Sequence, residues 1–248
     1  MMTRIGRIQA RPTQVHHTAP AGHLPLELGS MRDGYLYVPS SYRPTTPTAL
    51  ILMLHGSGGH AHHGLELLQR LADETHVILV APTSKFYTWS EAPQGPALDA
   101  RTANRALEFV FTNYAINPAR ITVAGFSDGA SYAMTLGLMN GDLFRHVIAF
   151  SPRFVIPAEV VHETRHNPRL FISHGMRDEV MPISTCSQRI VAPLEHAGID
   201  VEYAEFEAGH RIPPAIAKQA IDWLTKASAG AHDTRRAQSP EIRARQEG

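Results

Sequence analysis

Residues 121–132 read ITVAGFSDGASY: an apolar run that stops at Gly125-Phe126-Ser127-Asp128-Gly129 and passes directly into DGASYAMTLGLM, a segment with helical character. A strand that becomes a helix within one residue lifts a single side chain above the sheet edge, and here that residue is Ser127. So tight a turn presses backbone against backbone. A Cβ at 125 or 129 would collide with the adjoining strand or helix, and glycine stands at both. The turn leaves the serine Oγ exposed and aims the positive end of the following helix at whatever Oγ attacks.

Outward from this turn the chain alternates two patterns. Short apolar runs recur as ALILML from 49, HVILVAP from 76, RITVAGF from 120, HVIAFSP from 146 and LFISHG from 170, and such runs read as strands covered on both faces. Between them, apolar residues fall at helical spacing: Leu65, Leu68 and Leu71; then Ala103, Ala106, Leu107, Val110, Phe111 and Tyr114, ended by Asn117-Pro118; then Ile216, Ala220 and Leu224. A further helix is expected over Ser184 to His196, with Pro193 marking a kink or a late start. LPLELG from 24 and GYLYVP from 34 read as a leading antiparallel hairpin. Strands alternating with helices imply parallel crossovers, hence an α/β architecture with a mostly parallel sheet wrapped on both faces.

Composition narrows the functional classes. A chain of 248 residues with 43% hydrophobic content can bury one sizeable core, and we place it in a single domain over 23–226. Lys plus Arg and Asp plus Glu number 23 each, so no net field is available to hold nucleic acid or an anionic membrane. The single Cys186 excludes an internal disulfide and suits a reducing compartment, the cytoplasm. No apolar run approaches the roughly 18 residues of a membrane span. Residues 1–22, with three Arg and no acid, read as a flexible tail, and the polar stretch 227–248 as a disordered one.

A serine hydroxyl is a poor nucleophile at neutral pH, so Ser127 needs a base, and the base needs an orienting acid. Both follow in chain order. Asp178 sits in MRDEVMP just beyond LFISHG, and His210 follows Gly209 after the strand-like DVEYAEFEAGH. The rival acid is Glu179, and the rival bases are His196 and His174. A tetrahedral oxyanion needs backbone donors. One is the N–H of Asp128 at the helix N-terminus; the other is assigned to Ser57 in the glycine-rich His55-Gly56-Ser57-Gly58-Gly59. His60, His62 and His63 lack a carboxylate or Cys in ligand spacing and read as solvated loop residues, with no metal or other cofactor. Only residues 151–169 separate Phe150 from Leu170, too few for a helical cap. The cleft is therefore expected to be open, its walls drawn from Trp89, Phe154 and Met181.

LHGSGG, GFSDGA, HGMRDEVMP and AGH together resemble the α/β-hydrolase fold serine esterases, within them the phospholipase/carboxylesterase and dienelactone-hydrolase-like group. The resemblance covers about 24–226 and implies a cofactor-free acyl-enzyme cycle on carboxylic esters or thioesters. Asp128 stands where acyl-protein thioesterases usually carry Gln, and Ser127 where dienelactone hydrolases usually carry Cys, so depalmitoylation and lactone chemistry do not carry over. The expected activity is a serine carboxylesterase acting on small esters. A small serine peptidase or acyl-peptide hydrolase, and a non-catalytic ligand-binding protein of the same fold, are the alternatives. Monomer and homodimer both remain open.

Overall fold

The computed structural model describes residues 6–15, 19–26, 28–29, 34–89, 95–153 and 167–236. Eight strands form one sheet: β1 (Gly22–Pro25), β2 (Gly34–Val38), β3 (Thr48–Leu54), β4 (Val77–Pro82), β5 (Ile116–Phe126), β6 (His146–Phe150), β7 (Arg169–Gly175) and β8 (Val201–Phe206). Their order is β1-β2-β4-β3-β5-β6-β7-β8. β1 and β2 pair antiparallel, as does β2 with β4, and from β4 onward every pairing is parallel. The helices are α1 (Ala61–Thr75), α2 (Gly95–Asn113), α3 (Asp128–Met139), α4 (Ser187–His196) and α5 (Pro214–Arg236). This is the α/β-hydrolase fold.

The apolar runs are explained by burial on both faces. Along β3, Leu50, Leu52 and Leu54 pack with Leu107, Val110 and Phe111 of α2 and Ala130 and Ala133 of α3. The alternate residues Ala49, Ile51 and Met53 pack with Leu65 and Leu68 of α1 and Ile216, Ala220 and Leu224 of α5. A strand sandwiched this way has no polar face, so period-2 alternation disappears and a continuous run remains. The fourth helix starts late, at Ser187 after a 3-10 turn over Ile183–Thr185, and contains Pro193.

Two boundaries differ from the sequence reading. Residues 6–15 are packed, with Ile8 and Ala10 buried. The Asn140 side chain accepts from the Ile8 N–H at 2.8 Å and donates to the Gly6 carbonyl at 2.9 Å. Asn104 Oδ1 accepts from the Gln9 and Ala10 N–H groups at 2.7 and 2.9 Å, and Arg11 pairs with Asp142. The partners lie about a hundred residues away in sequence, so no local pattern announces them. At the other end α5 continues to Arg236, past the anticipated domain limit at 226. The segment 154–166, where a cap would be inserted, lies outside the described residues.

His146 opens β6 at the sheet edge opposite the strand exits, buried, edge-on to Trp223, with no hydrogen-bond partner at Nδ1. Burial first, then the neighbouring Arg169, Arg120 and Arg145, push its pKa down to about 4. The folded protein therefore holds it neutral while the unfolded chain takes up a proton near the ordinary value of about 6.5. Stability is complete above the unfolded value and is lost as pH falls from about 6.5 toward 4, by about 3 kcal/mol at most. His146→Leu removes this titration. Urea unfolding at pH 7 and pH 4.5 is expected to show a smaller loss in the variant by about 2 kcal/mol; equal losses in the two proteins would contradict the assignment.

Candidate active site

Ser57, Ser127, Asp128, Asp178 and His210 converge at the carboxyl ends of β3, β5, β7 and β8. Ser127 joins β5 to α3 with φ 59° and ψ −124°, a conformation that L-residues seldom hold without support. The support is visible: its N–H donates to the Phe150 carbonyl at the end of β6 at 2.9 Å. A Cβ on Gly125 would sit against the Gly129 carbonyl, and one on Gly129 against the carbonyls of His55 and Leu54. Both glycines are thus required by close backbone approach, for the reason the sequence pattern suggested.

His210 follows β8 and Asp178 follows β7. His210 Nε2 lies 2.9 Å from Ser127 Oγ, and its Nδ1 lies 2.6 Å from Asp178 Oδ2. A carboxylate can only accept, so Nδ1 carries the proton and Nε2 is left to accept from the serine hydroxyl. Asp178 is buried, whereas its rival Glu179 is exposed. The other carboxylate oxygen, Oδ1, accepts from the Val180 and Met181 N–H groups at 3.0 and 2.8 Å. Burial alone would raise the Asp178 carboxyl, but the Met181 N–H and His210 outweigh it and hold the pKa below its ordinary value.

The alternative bases lie elsewhere. His196 is exposed on α4, bonded through Nδ1 to the Ala192 carbonyl. His174 is fully buried in β7, paired with Ser187 Oγ through Nδ1 and with the Met181 carbonyl through Nε2 at 2.7 Å. Its Nε2 also comes within 3.3 Å of Asp178 Oδ2. Burial lowers its pKa, partly offset by the Met181 carbonyl and Asp178. Asp178 therefore faces two imidazoles: His210, partly open to solvent, and His174, kept neutral and serving as a brace.

Ser57 and Asp128 meet across the site. Both the Ser57 and the Thr88 hydroxyls donate to Asp128 Oδ2, the latter at 3.0 Å, while Arg153 Nη2 lies 3.2 Å from Oδ1. Asp128 opens α3, so its N–H belongs to the first turn, which has no intrahelical acceptor. The loop carrying Ser57 is held by Gly58 N–H to the Tyr87 carbonyl at 2.8 Å and Gly59 N–H to the Gly56 carbonyl at 3.0 Å. His55 Nε2 accepts from the Ser84 N–H at 3.1 Å, so Nδ1 bears the proton, facing the Gly56 carbonyl at 2.7 Å.

Of the three anticipated wall residues, Met181 reaches Ser127, its sulfur 3.8 Å from the serine Oγ. Trp89 does not line a cleft. It is 5% exposed, donates Nε1–H to the His55 carbonyl at 2.7 Å and stacks on Tyr132 with centroids 5.5 Å apart. A buried indole N–H needs an acceptor, and the carbonyl at the exit of β3 supplies one; the residue braces the Ser57 loop from behind. Phe154 lies outside the described residues. Thr88, Arg153 and His174's contact with Asp178 escaped the sequence reading. Only the His174-Gly175 pair ahead of Asp178 carried any signal, and Thr88 carried none.

His60 and His63 stack at 4.1 Å, and His62 lies 3.3 Å from Glu66. Among the described residues no group of three or more His, Cys, Asp or Glu is arranged to hold a metal ion, and no helix is long and apolar enough to cross a membrane.

The family model described as phospholipase/carboxylesterase matches residues 100–228, more than half of the chain and the span that carries Ser127, Asp178 and His210. A poly(3-hydroxybutyrate) depolymerase of Ralstonia pickettii is 34% identical over 137 residues, 47% of this chain and 28% of that protein, so the match spans under a third of the depolymerase's length. The putative hydrolase MhqD of Bacillus subtilis (strain 168) is 24% identical over 198 residues, 75% of this chain and 97% of its own. Among solved structures, esterase PE8 superposes with a TM-score of 0.63 at 25% identity, covering 78% of this chain and 98% of that one. The chain belongs to the phospholipase/carboxylesterase family, serine ester hydrolases built on the α/β-hydrolase fold.

Proposed function

We propose that the protein is a carboxylesterase that cleaves small carboxylic esters through an acyl-enzyme on Ser127. One observation carries the reading: the unbroken hydrogen-bonded chain from Ser127 Oγ through His210 to Asp178. Ser127 Oγ attacks the ester carbonyl as its proton passes to His210 Nε2. Asp178 stabilises the imidazolium and fixes the ring, and the N–H groups of Ser57 and Asp128 receive the oxyanion. The alcohol leaves with the proton from Nε2, and water, deprotonated by the same nitrogen, releases the acid. Thioesters fit the same cycle. The lone, buried Cys186 suits a reducing compartment, and we assign the enzyme to the cytoplasm with no cofactor.

Acyl size follows from the walls. Met181 stands directly on the nucleophile, and the 18 residues that connect β6 to β7 are too few in sequence for a helical cap. Each buried CH₂ is worth up to about 0.8 kcal/mol, three- to fourfold in rate, but only while a wall covers it. On p-nitrophenyl esters, kcat/KM is expected to peak between about two and six acyl carbons and to fall at least about tenfold by twelve. A 3-hydroxybutyrate dimer belongs in the panel because a relative is a poly(3-hydroxybutyrate) depolymerase. Rates that climb steadily to twelve or sixteen carbons would overturn the small-ester reading, and failure of a fluorophosphonate to label the protein would overturn the esterase reading itself.

A further inference from the structure

The family chemistry uses only the backbone of the residue after the nucleophile, yet here that residue is an Asp whose side chain is 14% exposed and bonded on every side. Its Oδ2 receives two hydroxyls, Ser57 from the loop after β3 and Thr88 from the loop after β4. Its Oδ1 receives Arg153, which follows β6. Three loops thus converge on one carboxylate. Its partners differ in weight: the Arg153 guanidinium is 66% exposed, where an ion pair contributes little, whereas Ser57 and Thr88 reach it with hydroxyl hydrogen bonds from two neighbouring loops.

We infer that the Asp128 carboxylate is a latch that sets the distance between the two oxyanion donors, a proposal that rests on the reading of Ser127 as nucleophile. The residue that gives one N–H holds, through its own side chain, the side chain of the residue that gives the other. Neither donor can drift from its partner without breaking the Ser57 Oγ–Asp128 Oδ2 bond. Donors aimed at an oxyanion are effective only when fixed before the charge develops, and loss of a whole donor costs about 10²- to 10³-fold in kcat. Loosening one costs less. The Gly58 N–H to Tyr87 carbonyl bond still holds the loop when the latch is cut, so the loop is not lost altogether. Asp128 is accordingly a positioning residue by its side chain, acting through Ser57, and Thr88 supports the same oxygen.

The test is a double-mutant cycle on the full chain, with p-nitrophenyl butyrate as substrate and fluorophosphonate labelling of the wild type as its first step. Asp128→Ala and Ser57→Ala are each expected to lower kcat by about ten- to thirtyfold with KM within about threefold. The double variant should be no slower than the slower single, because Asp128→Ala already removes the Ser57–Asp128 bond that Ser57→Ala removes. Asp128→Asn retains an acceptor oxygen for the hydroxyls and should recover most of the loss. The pH profile of kcat/KM should keep its shape, since His210 and Asp178 are untouched. Ser57→Ala removes the bond from an exposed loop and keeps the test alive should Asp128→Ala fold poorly. Full activity in either single variant, losses that multiply in the double, or Asp128→Asn as slow as Asp128→Ala would each overturn the latch while leaving the nucleophile in place. A wild type that does not label would overturn the reading of Ser127, and the latch with it.

Discussion

Ser127→Ala is expected to abolish fluorophosphonate labelling and to lower kcat on the order of 10⁶-fold, with KM changed by no more than a few-fold. The size of the effect follows from what remains. His210 can still take a proton from water, and the donors at Ser57 and Asp128 can still receive an oxyanion, which leaves roughly 10³- to 10⁴-fold over the uncatalysed reaction. What is lost is the attacking atom, held 2.9 Å from its base by a turn strained to φ 59°. The variant should fold, because alanine enters the same backbone conformation with the same Cβ and the Ser127 N–H bond to the Phe150 carbonyl is unaffected. Burst and steady-state kinetics with a p-nitrophenyl ester, beside circular dichroism of the variant, check this. A folded variant that loses less than tenfold would remove Ser127 from the mechanism.

Much of this site was legible in sequence because the fold makes it local. The elbow is read from Gly125 and Gly129: Gly125 answers a steric demand created within five residues by Gly129 itself, and Gly129 answers one set by the exit of the neighbouring strand at Leu54 and His55. Asp178 and His210 are each found at a strand exit, and a parallel sheet brings successive exits together whatever the intervening chain does. The features that escaped detection depend on contacts between distant segments. Thr88 is an ordinary threonine until it meets Asp128, and Asn140 is an ordinary helix-terminal residue until Gly6 and Ile8 lie across it. Trp89 shows the converse error. Polar neighbours in sequence suggested a cleft wall, but the indole N–H found a carbonyl inside the protein and the ring followed it. An aromatic at a strand exit has two ways to satisfy its polar atom, and only tertiary structure chooses between them.

Asp178→Asn is expected to lower kcat by about 10⁴-fold while leaving KM nearly unchanged, and the hydrogen bonds around the carboxylate say why. Oδ1 accepts from two N–H groups, those of Val180 and Met181. An asparagine placed there must present its carbonyl oxygen to them, because the reverse orientation would set its NH₂ against both donors. The NH₂ group then occupies the position of Oδ2, facing His210 Nδ1 and the Nε2–H of His174. Facing a donor, His210 Nδ1 must become the acceptor, so the ring proton moves to Nε2 and points at Ser127. A base that already carries its proton cannot take the serine's. The neutral His174 opposes this orientation only weakly: its Nε2–H would face the NH₂, donor against donor, but it keeps the Met181 carbonyl at 2.7 Å as an acceptor, so the two backbone donors at Oδ1 decide which way the amide turns. The side chain at 178 is buried and touches no substrate, so binding is spared and the loss appears in kcat. Labelling by a fluorophosphonate should slow in parallel, since it uses the same proton transfer. If kcat falls by less than tenfold, or if KM rises in step with the loss, Asp178 does not orient His210 and the carboxylate serves only to hold the loop between Gly175 and Pro182 together.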